Sequence, residues 1–519
     1  MKKYRSSHFY YLPIILLLLA SCKHYKKNSD HSDISDSSIE KGEKLAKVYC
    51  QSCHLFPDPS LLDSKSWEKG VLPNMGPRLG IFYYGYRTYP SSRHDVNIGL
   101  GYYPSQPVIS NDDWQNILDY YIATSPDTLE GQKRPYPIQM GLSLFTVQSP
   151  AITYENPISS YVKISKLDPE HRIIVSDALK NITYFYDTNL MIKDSVKNGG
   201  PIVDMDFSNP DIVACDIGIM NPNNGKFGKG EIIKPNASNE QPSLIPHLDS
   251  LQRPVQLSIC DLNNDGRPDY LICEFGYVTG KLSWLENLGN GNYKKHILRS
   301  LPGAIKAYVQ DYNHDGLPDI WVLFAQGDES ILLYTNKGNG EFSEQQVLRF
   351  PPMYGSSYFE LADFNKDGYP DILYTCGDNA DYSTIFKPYH GVYIFLNDKT
   401  NHFIQKYFFP INGCYKAIAR DFDGDGDLDI ATISYFADYE KQPEEGFVYL
   451  ENRDNFDFRP FSIPETEKGR WLTMDAGDIN GDGIPDLILG NFCLGPNISK
   501  PKYDWKKGPP FMILKTNKK

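Results

Sequence analysis

The 519-residue sequence lacks the local motifs by which several enzyme classes are recognised. No glycine-rich dinucleotide loop follows a predicted strand, no zinc-binding helix motif is present, and no nucleophile stands in a recognisable pattern with a general base. These absences count only weakly against catalysis, because active sites are often assembled from residues that lie far apart in the sequence.

Basic charge is scarce relative to acidic charge. The chain has 52 Lys and Arg against 65 Asp and Glu, a formal net charge of −13. This excess argues against nucleic acid or an anionic lipid surface as a partner. With 40% hydrophobic and 23% charged residues, the composition is globular, and the length predicts at least two domains.

Long apolar runs are missing except at the N-terminus. A positively charged start is followed by an apolar run at residues 12–20, which is too short to span a bilayer as a mature helix and is typical of an export signal. The run ends in Leu-Ala-Ser-Cys at residues 19–22, which resembles a bacterial lipobox. The resemblance implies a signal peptide over residues 1–21 and a lipid on Cys22; a signal peptide with an incidental cysteine is the alternative.

The predicted location is therefore outside the cytoplasm, with a lipid anchor in a bacterial membrane whose leaflet the sequence does not indicate. Residues 22–37 are rich in Lys, Ser and Asp and are predicted to form a flexible tether.

Cysteine is also scarce, with nine in the chain. Six are scattered without the spacing of a disulfide framework and are predicted to be buried free thiols: Cys215, Cys260, Cys273, Cys376, Cys414 and Cys493. Because export permits disulfides, a bridge between Cys260 and Cys273 stays open.

Two further cysteines lie in a predicted small helical domain at residues 38–125. Its first helix, over residues 38–49 with Ser38 as the cap, runs directly into Cys50-Gln51-Ser52-Cys53-His54. Two thiols at this spacing can each add to a haem vinyl group while the adjacent imidazole ligates the iron. Half a zinc site and a redox disulfide are the alternatives. The first lacks a second cysteine pair nearby, and the second lacks a βαβ context.

The surrounding sequence resembles a class I cytochrome c domain. Gly42 followed by Tyr49 just before the first cysteine matches the first helix of that family, and residues 111–122, with Trp114, match its closing helix. The resemblance implies that the two helices pack together and that haem c is bound through Cys50, Cys53 and His54.

The sixth iron ligand has three candidates. Met75 lies in a loop bounded by proline and glycine, although it comes earlier than the family's methionine. His94 is the rival ligand, and an open or water-bound site is the third possibility. Residues 126–141 follow the domain and, with little apolar periodicity, are predicted to be a linker.

Five copies of one acidic loop dominate the rest of the chain. Each reads Asp-x-(Asn/Asp)-x-Asp-Gly-x-x-Asp, and they start at Asp261, Asp311, Asp363, Asp421 and Asp478. Alternating oxygen ligands with a glycine at the sixth position are typical of a Ca²⁺ site. A period near 50 residues indicates a β-propeller.

An EF-hand is excluded because position twelve is never glutamate: it is Ile272, Val322, Tyr374, Thr432 or Leu489. The pattern instead resembles the FG-GAP or VCBS repeat family, which includes the seven-bladed propeller of integrin α subunits. The resemblance implies about five Ca²⁺ sites with ligands at positions one, three, five and nine, whereas a rigid acidic turn without metal is the alternative. The implied ligands are Asp261, Asn263, Asp265, Asp269, Asp311, Asn313, Asp315, Asp319, Asp363, Asn365, Asp367, Asp371, Asp421, Asp423, Asp425, Asp429, Asp478, Asn480, Asp482 and Asp486.

The predicted fold is therefore multidomain: a small all-α domain followed by an all-β seven-bladed propeller over residues 142–519. Each loop repeat holds four short strands, and two further blades without intact loops are predicted at residues 162–194 and 203–235. The last blade lacks an outer strand, which residues 142–147 are predicted to supply.

Three functions are consistent with these features. The first is electron transfer by a membrane-anchored haem protein whose propeller docks a protein or glycan, with a redox protein or a small-molecule reductant as partner. The second is an oxidoreductase whose propeller binds a sugar, alcohol or similar substrate and passes its electrons to the haem. The third is adhesion.

Overall fold

The computed structural model describes residues 25–91, 95–152, 155–166, 169–208, 211–234, 243–245, 247–380 and 382–518. Within these ranges, no helix has both the length and the apolar character needed to cross a membrane. The predicted signal peptide, the predicted lipid site Cys22 and the rival ligand His94 lie outside the described residues.

A small helical unit comes first. Its helices are α1 Asp36–Tyr49, α2 Ser64–Ser66, α3 Leu72–Met75 and α4 Asn111–Thr124, and its hairpin is β1 Tyr83–Tyr84 with β2 Arg87–Thr88. The prediction of Ser38 as the cap of α1 is wrong, because Ser35 accepts the backbone N–H of Ser38 at 3.2 Å and the helix begins earlier. The hydroxyl of Ser38 instead donates to Asn116 Oδ1 on α4 at 2.9 Å.

Helices α1 and α4 pack backbone against backbone. A Cβ atom at Gly42 would lie only 1.9 Å from the carbonyl oxygen of Asn116, so a larger residue there would force the helices apart. Ile39, Ala46 and Ile117 are fully buried around this contact. The predicted packing of the first helix on the closing helix is confirmed.

The residues that precede α1 are bound to the helical unit. The backbone N–H of Asn28 donates to the carbonyl of Ala123 at 2.9 Å, and its side-chain amide donates to the carbonyl of Ser125 at 3.2 Å, so Asn28 satisfies carbonyls at the C-terminal end of α4. Lys27 pairs with Asp36 at 2.7 Å. The prediction of a flexible tether over residues 22–37 is therefore wrong from Tyr25 onwards.

Residues 126–141, which we call the strap, connect the helical unit to the β-strands and lie along the propeller. The guanidinium of Arg134 donates to the carbonyl of Pro410 at 2.9 Å and to Gln442 Oε1 at 2.6 Å, and it pairs with the fully buried carboxylate of Glu445. The strap ends in β3 Gln139–Met140, and β4 Phe145–Gln148 follows. The segment predicted as a linker is thus fixed to the propeller surface.

Seven antiparallel sheets form the seven-bladed β-propeller that the sequence predicts. Each blade has four strands, β4 completes the seventh blade, and β3 adds a parallel fifth strand to the sixth. In chain order the remaining strands are β5 Ser159–Ile164, β6 Ile173–Asp177, β7 Ile182–Tyr186, β8 Ile192–Lys197 (blade 1); β9 Ile202–Asp206, β10 Ile212–Asp216, β11 Lys229–Ile233, β12 Ser243–Leu244 (blade 2); β13 Pro254–Cys260, β14 Asp269–Glu274, β15 Lys281–Gly289, β16 Asn292–Arg299 (blade 3); β17 Ala304–Gln310, β18 Asp319–Phe324, β19 Ser330–Asn336, β20 Phe342–Arg349 (blade 4); β21 Ser356–Ala362, β22 Asp371–Cys376, β23 Gly391–Asn397, β24 Phe403–Pro410 (blade 5); β25 Cys414–Arg420, β26 Asp429–Ser434, β27 Phe447–Asn452, β28 Phe458–Ser462 (blade 6); and β29 Trp471–Gly477, β30 Asp486–Asn491, β31 Phe511–Thr516 (blade 7).

The propeller core is divided among the spaces between blades. In the described part of the chain, each pair of neighbouring blades encloses one buried apolar cluster. Between the last and first blades, Ile488 and Phe511 meet Val162 and Ile173. The ring is therefore closed by side-chain packing as well as by strand pairing.

The predicted closing strand is confirmed. Strand β4 pairs antiparallel with β31, with Val147 opposite Leu514 and Phe145 opposite Thr516. Phe145 is buried against Phe422 of blade 6. One short segment thus satisfies the outer edge of the last blade and fills the adjacent core.

The six propeller cysteines are free thiols, as predicted, and all except the half-buried Cys260 are buried. The alternative of a Cys260–Cys273 bridge is wrong because of the strand register: Cys260 lies opposite Asp269, whereas Cys273 lies opposite Gln256. The two thiols are at opposite ends of the β13–β14 pair.

The helical unit is docked on one face of the propeller. The hydroxyl of Tyr102 donates to the carbonyl of Val278 in blade 3 at 3.0 Å, and the hydroxyl of Tyr389 in blade 5 donates to the carbonyl of Leu61 at 3.0 Å. Met353, between blades 4 and 5, packs into the core of the helical unit. These contacts enclose a space between the two units.

Replacing Phe145 with alanine should weaken ring closure. We expect F145A to lower the free energy of unfolding by about 3–5 kcal/mol, the usual cost of emptying a buried phenylalanine site, in urea denaturation followed by tryptophan fluorescence. T146A, at the exposed neighbouring position of the same strand, is the control. Equal effects of the two substitutions would contradict the assignment of β4 as the closing strand.

Candidate functional site

The Cys-x-x-Cys-His segment starts where α1 ends. The backbone N–H of Cys50 still donates to the carbonyl of Ala46 at 2.9 Å, and the chain then turns through residues 51–54. Cys50 is half-buried, Cys53 is exposed, and both are free thiols. Burial raises the pKa of Cys50 to about 11. Both sulfur atoms are available for a covalent link to a third group.

A hydrogen bond fixes the ring of His54. Its Nδ1 atom lies 2.9 Å from the carbonyl oxygen of Leu55. Because a carbonyl only accepts, Nδ1 carries the proton and Nε2 keeps its lone pair. Burial also lowers the pKa of His54, which favours the neutral ring. This is the arrangement of a histidine that ligates a metal through Nε2.

A cavity of about 360 Å³ lies between the helical unit and the propeller. The helical unit supplies Cys50, Cys53 and His54, together with an apolar wall that includes Trp67 and Trp114. The propeller supplies the facing wall from the turns around residues 325–329 and 352–355. An apolar cavity with two thiols and an imidazole on one wall fits the chemistry of a covalently bound haem.

The predicted ligand Met75 lines the same cavity. It is the last residue of α3 and is half-buried. A second thioether, that of Met353 from the propeller, also lines the cavity. Cys50, Cys53, His54 and Met75 thus line one cavity, together with Met353, which no local motif in its own sequence could have indicated.

The propeller wall also carries ionisable groups. Burial raises the pKa of Asp378, while the charge of Lys387 acts in the opposite direction. Lys387 is almost fully buried and donates to the carbonyl of Ser383 at 3.1 Å. The wall that faces the Cys-x-x-Cys-His segment therefore carries ionisable groups as well as apolar ones.

All five acidic loops connect the first and second strands of their blades. In the first loop, the backbone N–H groups of Asp265 and Gly266 donate to the carboxylate of Asp261 at 3.0 and 2.7 Å. The glycine at position six has a φ between 82° and 95° in the five loops, a left-handed conformation that disfavours other residues. The same turn is built five times.

The aspartate at position nine ties each loop to its blade. Asp269 accepts the backbone N–H of Leu262 at 2.9 Å and that of Asn287, on the third strand, at 2.8 Å. Its four counterparts, also buried, are Asp319, Asp371, Asp429 and Asp486. Burial raises the pKa of each of the five carboxyl groups.

The fourth loop differs from the others at position three. Elsewhere this residue is an asparagine whose amide donates to the position-five aspartate, as Asn313 does to Asp315 at 2.9 Å. The fourth loop has Asp423, and carboxylate oxygens of Asp421, Asp423 and Asp429 lie within 4.8 Å of one another. This oxygen-only group fits a hard cation such as Ca²⁺. The predicted ligand Asp425 is not part of the group.

The two aspartates that begin the shortened loop sequence of blade 2 bind a neighbouring blade. Asp206 accepts the backbone N–H of Ile259 at 2.9 Å, and Asp204 accepts that of Leu257 at 3.3 Å. Both acceptors therefore bind the first strand of blade 3. These carboxylates hold neighbouring blades together.

Binding of Ca²⁺ at the fourth loop should depend on pH. Burial, with a further contribution from the Asp423 carboxylate, raises the pKa of Asp429 to about 7. The folded protein then holds this proton more tightly than the unfolded chain does. In the absence of calcium, the contribution of Asp429 to the free energy of unfolding therefore falls as the pH rises from about 4 through about 7. Ca²⁺ competes with the proton, so its affinity should increase over the same interval in calorimetric titrations.

The variant that tests this metal site is D423N, which gives the fourth loop the asparagine that the other four loops have at position three. We expect it to weaken binding at that loop by on the order of tenfold, since one charged ligand is lost. Unchanged affinity and pH dependence would contradict the assignment of this loop as a metal site.

Comparison with known proteins agrees with the repeat architecture. Residues 261–322 and 311–374 each match the FG-GAP-like repeat family. Among solved structures, the chain is similar to the N-terminal domain of Nup159 (12% identity, TM-score 0.41, covering 74% of this chain and 98% of that chain). It is also similar to BBS1N in complex with ARL6DN (11% identity, TM-score 0.43, covering 72% and 97%). Similarity at this level says nothing about what this chain binds. The chain carries FG-GAP-like repeats within a seven-bladed β-propeller.

Proposed function

We propose that this chain is an exported, lipid-anchored haem c protein that transfers electrons, with its Ca²⁺-binding propeller as a platform for a partner or ligand. The observation that carries the proposal is the placement of Cys50, Cys53 and His54 on one wall of an apolar cavity that also contains thioethers. The anchor at Cys22 rests on the resemblance of residues 19–22 to a lipobox.

Each cavity residue has a defined role in this proposal. Cys50 and Cys53 hold the haem through thioether bonds, and His54 presents Nε2 to the iron because its Nδ1 is held by Leu55. Haem c supplies reversible one-electron exchange at its iron. Trp67 and Trp114 exclude water from the cavity, which favours the reduced state.

The geometry argues against zinc at the same residues. Among the described residues, the grouping of ligand atoms close enough to hold one ion is in the fourth acidic loop. Cys50, Cys53 and His54 are not such a group, so they do not form a preassembled site for a single tetrahedral ion.

An oxidoreductase is the second candidate, because the cavity is shared by both units. The half-buried carboxylate of Asp378 on the propeller wall can bind a small polar reductant beside the site of the haem. In that case the electrons come from a molecule bound inside the cavity rather than from a docked protein.

Covalent attachment can be tested by removing the two thiols. We expect C50S/C53S to lose its haem on extraction with acidified acetone, whereas the wild-type protein keeps it, because thioether bonds resist extraction. C260S removes a free thiol in blade 3 and is the matched control. Extractable haem in the wild-type protein, or none bound at all, would contradict the proposal.

The sixth ligand can be identified by comparing M75A with M353A. Loss of a thioether ligand should convert a low-spin haem to a high-spin one and lower its reduction potential, because thioether ligation raises the potential. We expect this change for M75A and the wild-type visible spectrum for M353A. The reverse result would assign the ligand to the propeller, and no change in either variant would leave an open site or His94.

A further inference from the structure

The connection between the predicted lipid site and the helical unit is short. Tyr25, the first described residue, comes three positions after Cys22 in the chain. Because one residue of fully extended chain spans at most about 3.6 Å, the Cα atoms of Cys22 and Tyr25 are no more than about 11 Å apart. A lipid on Cys22 therefore places Tyr25 close to the surface of the membrane that holds the lipid.

The residues that begin at Tyr25 are attached to the helical unit. The hydroxyl of Tyr25 donates to Glu43 Oε2 on α1 at 2.6 Å, and the ammonium of Lys27 donates to the carbonyl of Ile34 at 2.6 Å. Asn28 is buried against the C-terminal end of α4. Between Tyr25 and the two long helices there is thus no free length of chain, and an anchor at Cys22 would hold the helical unit itself.

The α1 face that Tyr25 contacts leads to the Cys-x-x-Cys-His segment. Glu43, Lys47 and Cys50 follow one another along this face, because residues three and four positions apart are neighbours on a helix. Lys47 pairs with Glu43 at 2.7 Å. The rise of the helix from Glu43 to Cys50 is about 10 Å. The segment therefore begins two turns from the place where Tyr25 binds α1.

The charges on the exposed side of α1 are balanced. Lys44 pairs with Glu40 at 2.7 Å, as Lys47 does with Glu43, and Val48 is about 65% exposed at the end of the helix. The acidic excess of the whole chain is not concentrated on this side. Repulsion from an anionic lipid surface is therefore weaker here than the net charge of the chain indicates.

The acidic loops lie on the propeller face that is opposite to the helical unit. Pro302 and Gly355 line the cavity beside the helical unit, and they come just before the first strands of their blades, β17 and β21. The acidic loops at Asp311 and Asp363 follow the other ends of the same two strands. Strand β19 runs in the same direction as β17, so the exposed Lys337 that follows it lies on the acidic-loop face.

We propose that the short connection to a lipid on Cys22 holds the helical unit against the surface of the membrane, with the acidic-loop face of the propeller farther from it. The inference rests on the proposed function, which supplies the lipid. The bilayer surface is the partner, and the contacts of Tyr25, Lys27 and Asn28 fix the distance to it. The Cys-x-x-Cys-His segment is thereby placed where a redox partner in the same membrane can approach it.

The test measures energy transfer from a fluorophore on the protein to acceptor-labelled headgroups in phosphatidylcholine vesicles. The lipidated full-length protein carries the fluorophore on an azide-bearing amino acid that replaces Lys44 on α1 or, in a second protein, Lys337 on the acidic-loop face. We expect stronger transfer from position 44 than from position 337.

The decisive variant lengthens the connection without touching the contacts of Tyr25. Inserting about twelve glycine and serine residues between His24 and Tyr25 adds about 20 Å of root-mean-square reach, so transfer from position 44 should fall about twofold. The control has the same insertion between Asn290 and Gly291, in the exposed β15–β16 turn, and should keep the wild-type transfer.

Stronger transfer from position 44, reduced by the insertion before Tyr25 and unchanged in the control, supports the inference. Equal transfer from the two positions, or no effect of the insertion before Tyr25, overturns the inference if mass spectrometry finds a lipid on Cys22, and it leaves the proposed function intact. A purified protein without lipid on Cys22 overturns both the inference and the proposed anchor.

Discussion

The pairing of β4 with β31 closes the propeller ring. It also fixes the place where the strap, which precedes β4 in the chain, reaches the ring. Strand β4 lies in the last blade although it precedes the first blade in the chain, and the residues before it approach the ring beside blade 6. The strap does so, with β3 against β28 and Arg134 bound to Glu445. The strap links the helical unit to this side of the ring, and contacts such as that of Tyr102 with Val278 hold the unit against the propeller face.

Carboxylates that accept backbone N–H groups are the second recurring feature of this chain. A carboxylate deprived of water is unfavourable unless its oxygen atoms accept hydrogen bonds, and here they accept backbone N–H groups from strand ends. Asp269 joins its loop to the third strand of the blade, Asp206 joins blade 2 to blade 3, and Glu445 receives the strap. Burial raises the pKa of Glu445 to about 7, with Arg134 opposing the rise. These three carboxylates thus fix a loop, a neighbouring blade and the strap through the groups that they bind.

The sequence was sufficient for features encoded by short-range patterns. The spacing of the acidic loops predicted the period of the blades, and the helical spacing of apolar residues predicted the closing helix. The resemblance of the residues around Phe145 to an outer strand predicted the closure of the ring. The cap of α1 was misplaced because three nearby serines offer the same hydroxyl, and only the backbone decides that Ser35 accepts the bond. The tether was predicted from polar composition, yet Asn28 is polar because it satisfies the end of α4.

The cavity itself was beyond sequence reasoning, because its walls combine residues near 50 with residues near 330, 350 and 380. No local pattern marks Met353 as a residue that shares a cavity with His54. Strand register, which excluded the Cys260–Cys273 bridge, is likewise set by pairing between strands rather than by either strand alone.

The central claim is that the thiols of the helical unit carry a tetrapyrrole inside this cavity. Intact-mass spectrometry of the purified chain, followed by peptide mapping across residues 50–54, tests it most directly. The account predicts one haem mass per chain, linked to Cys50 and Cys53. A chain of apoprotein mass whose two cysteines are alkylated as free thiols, after export in cells that make haem c, would contradict it.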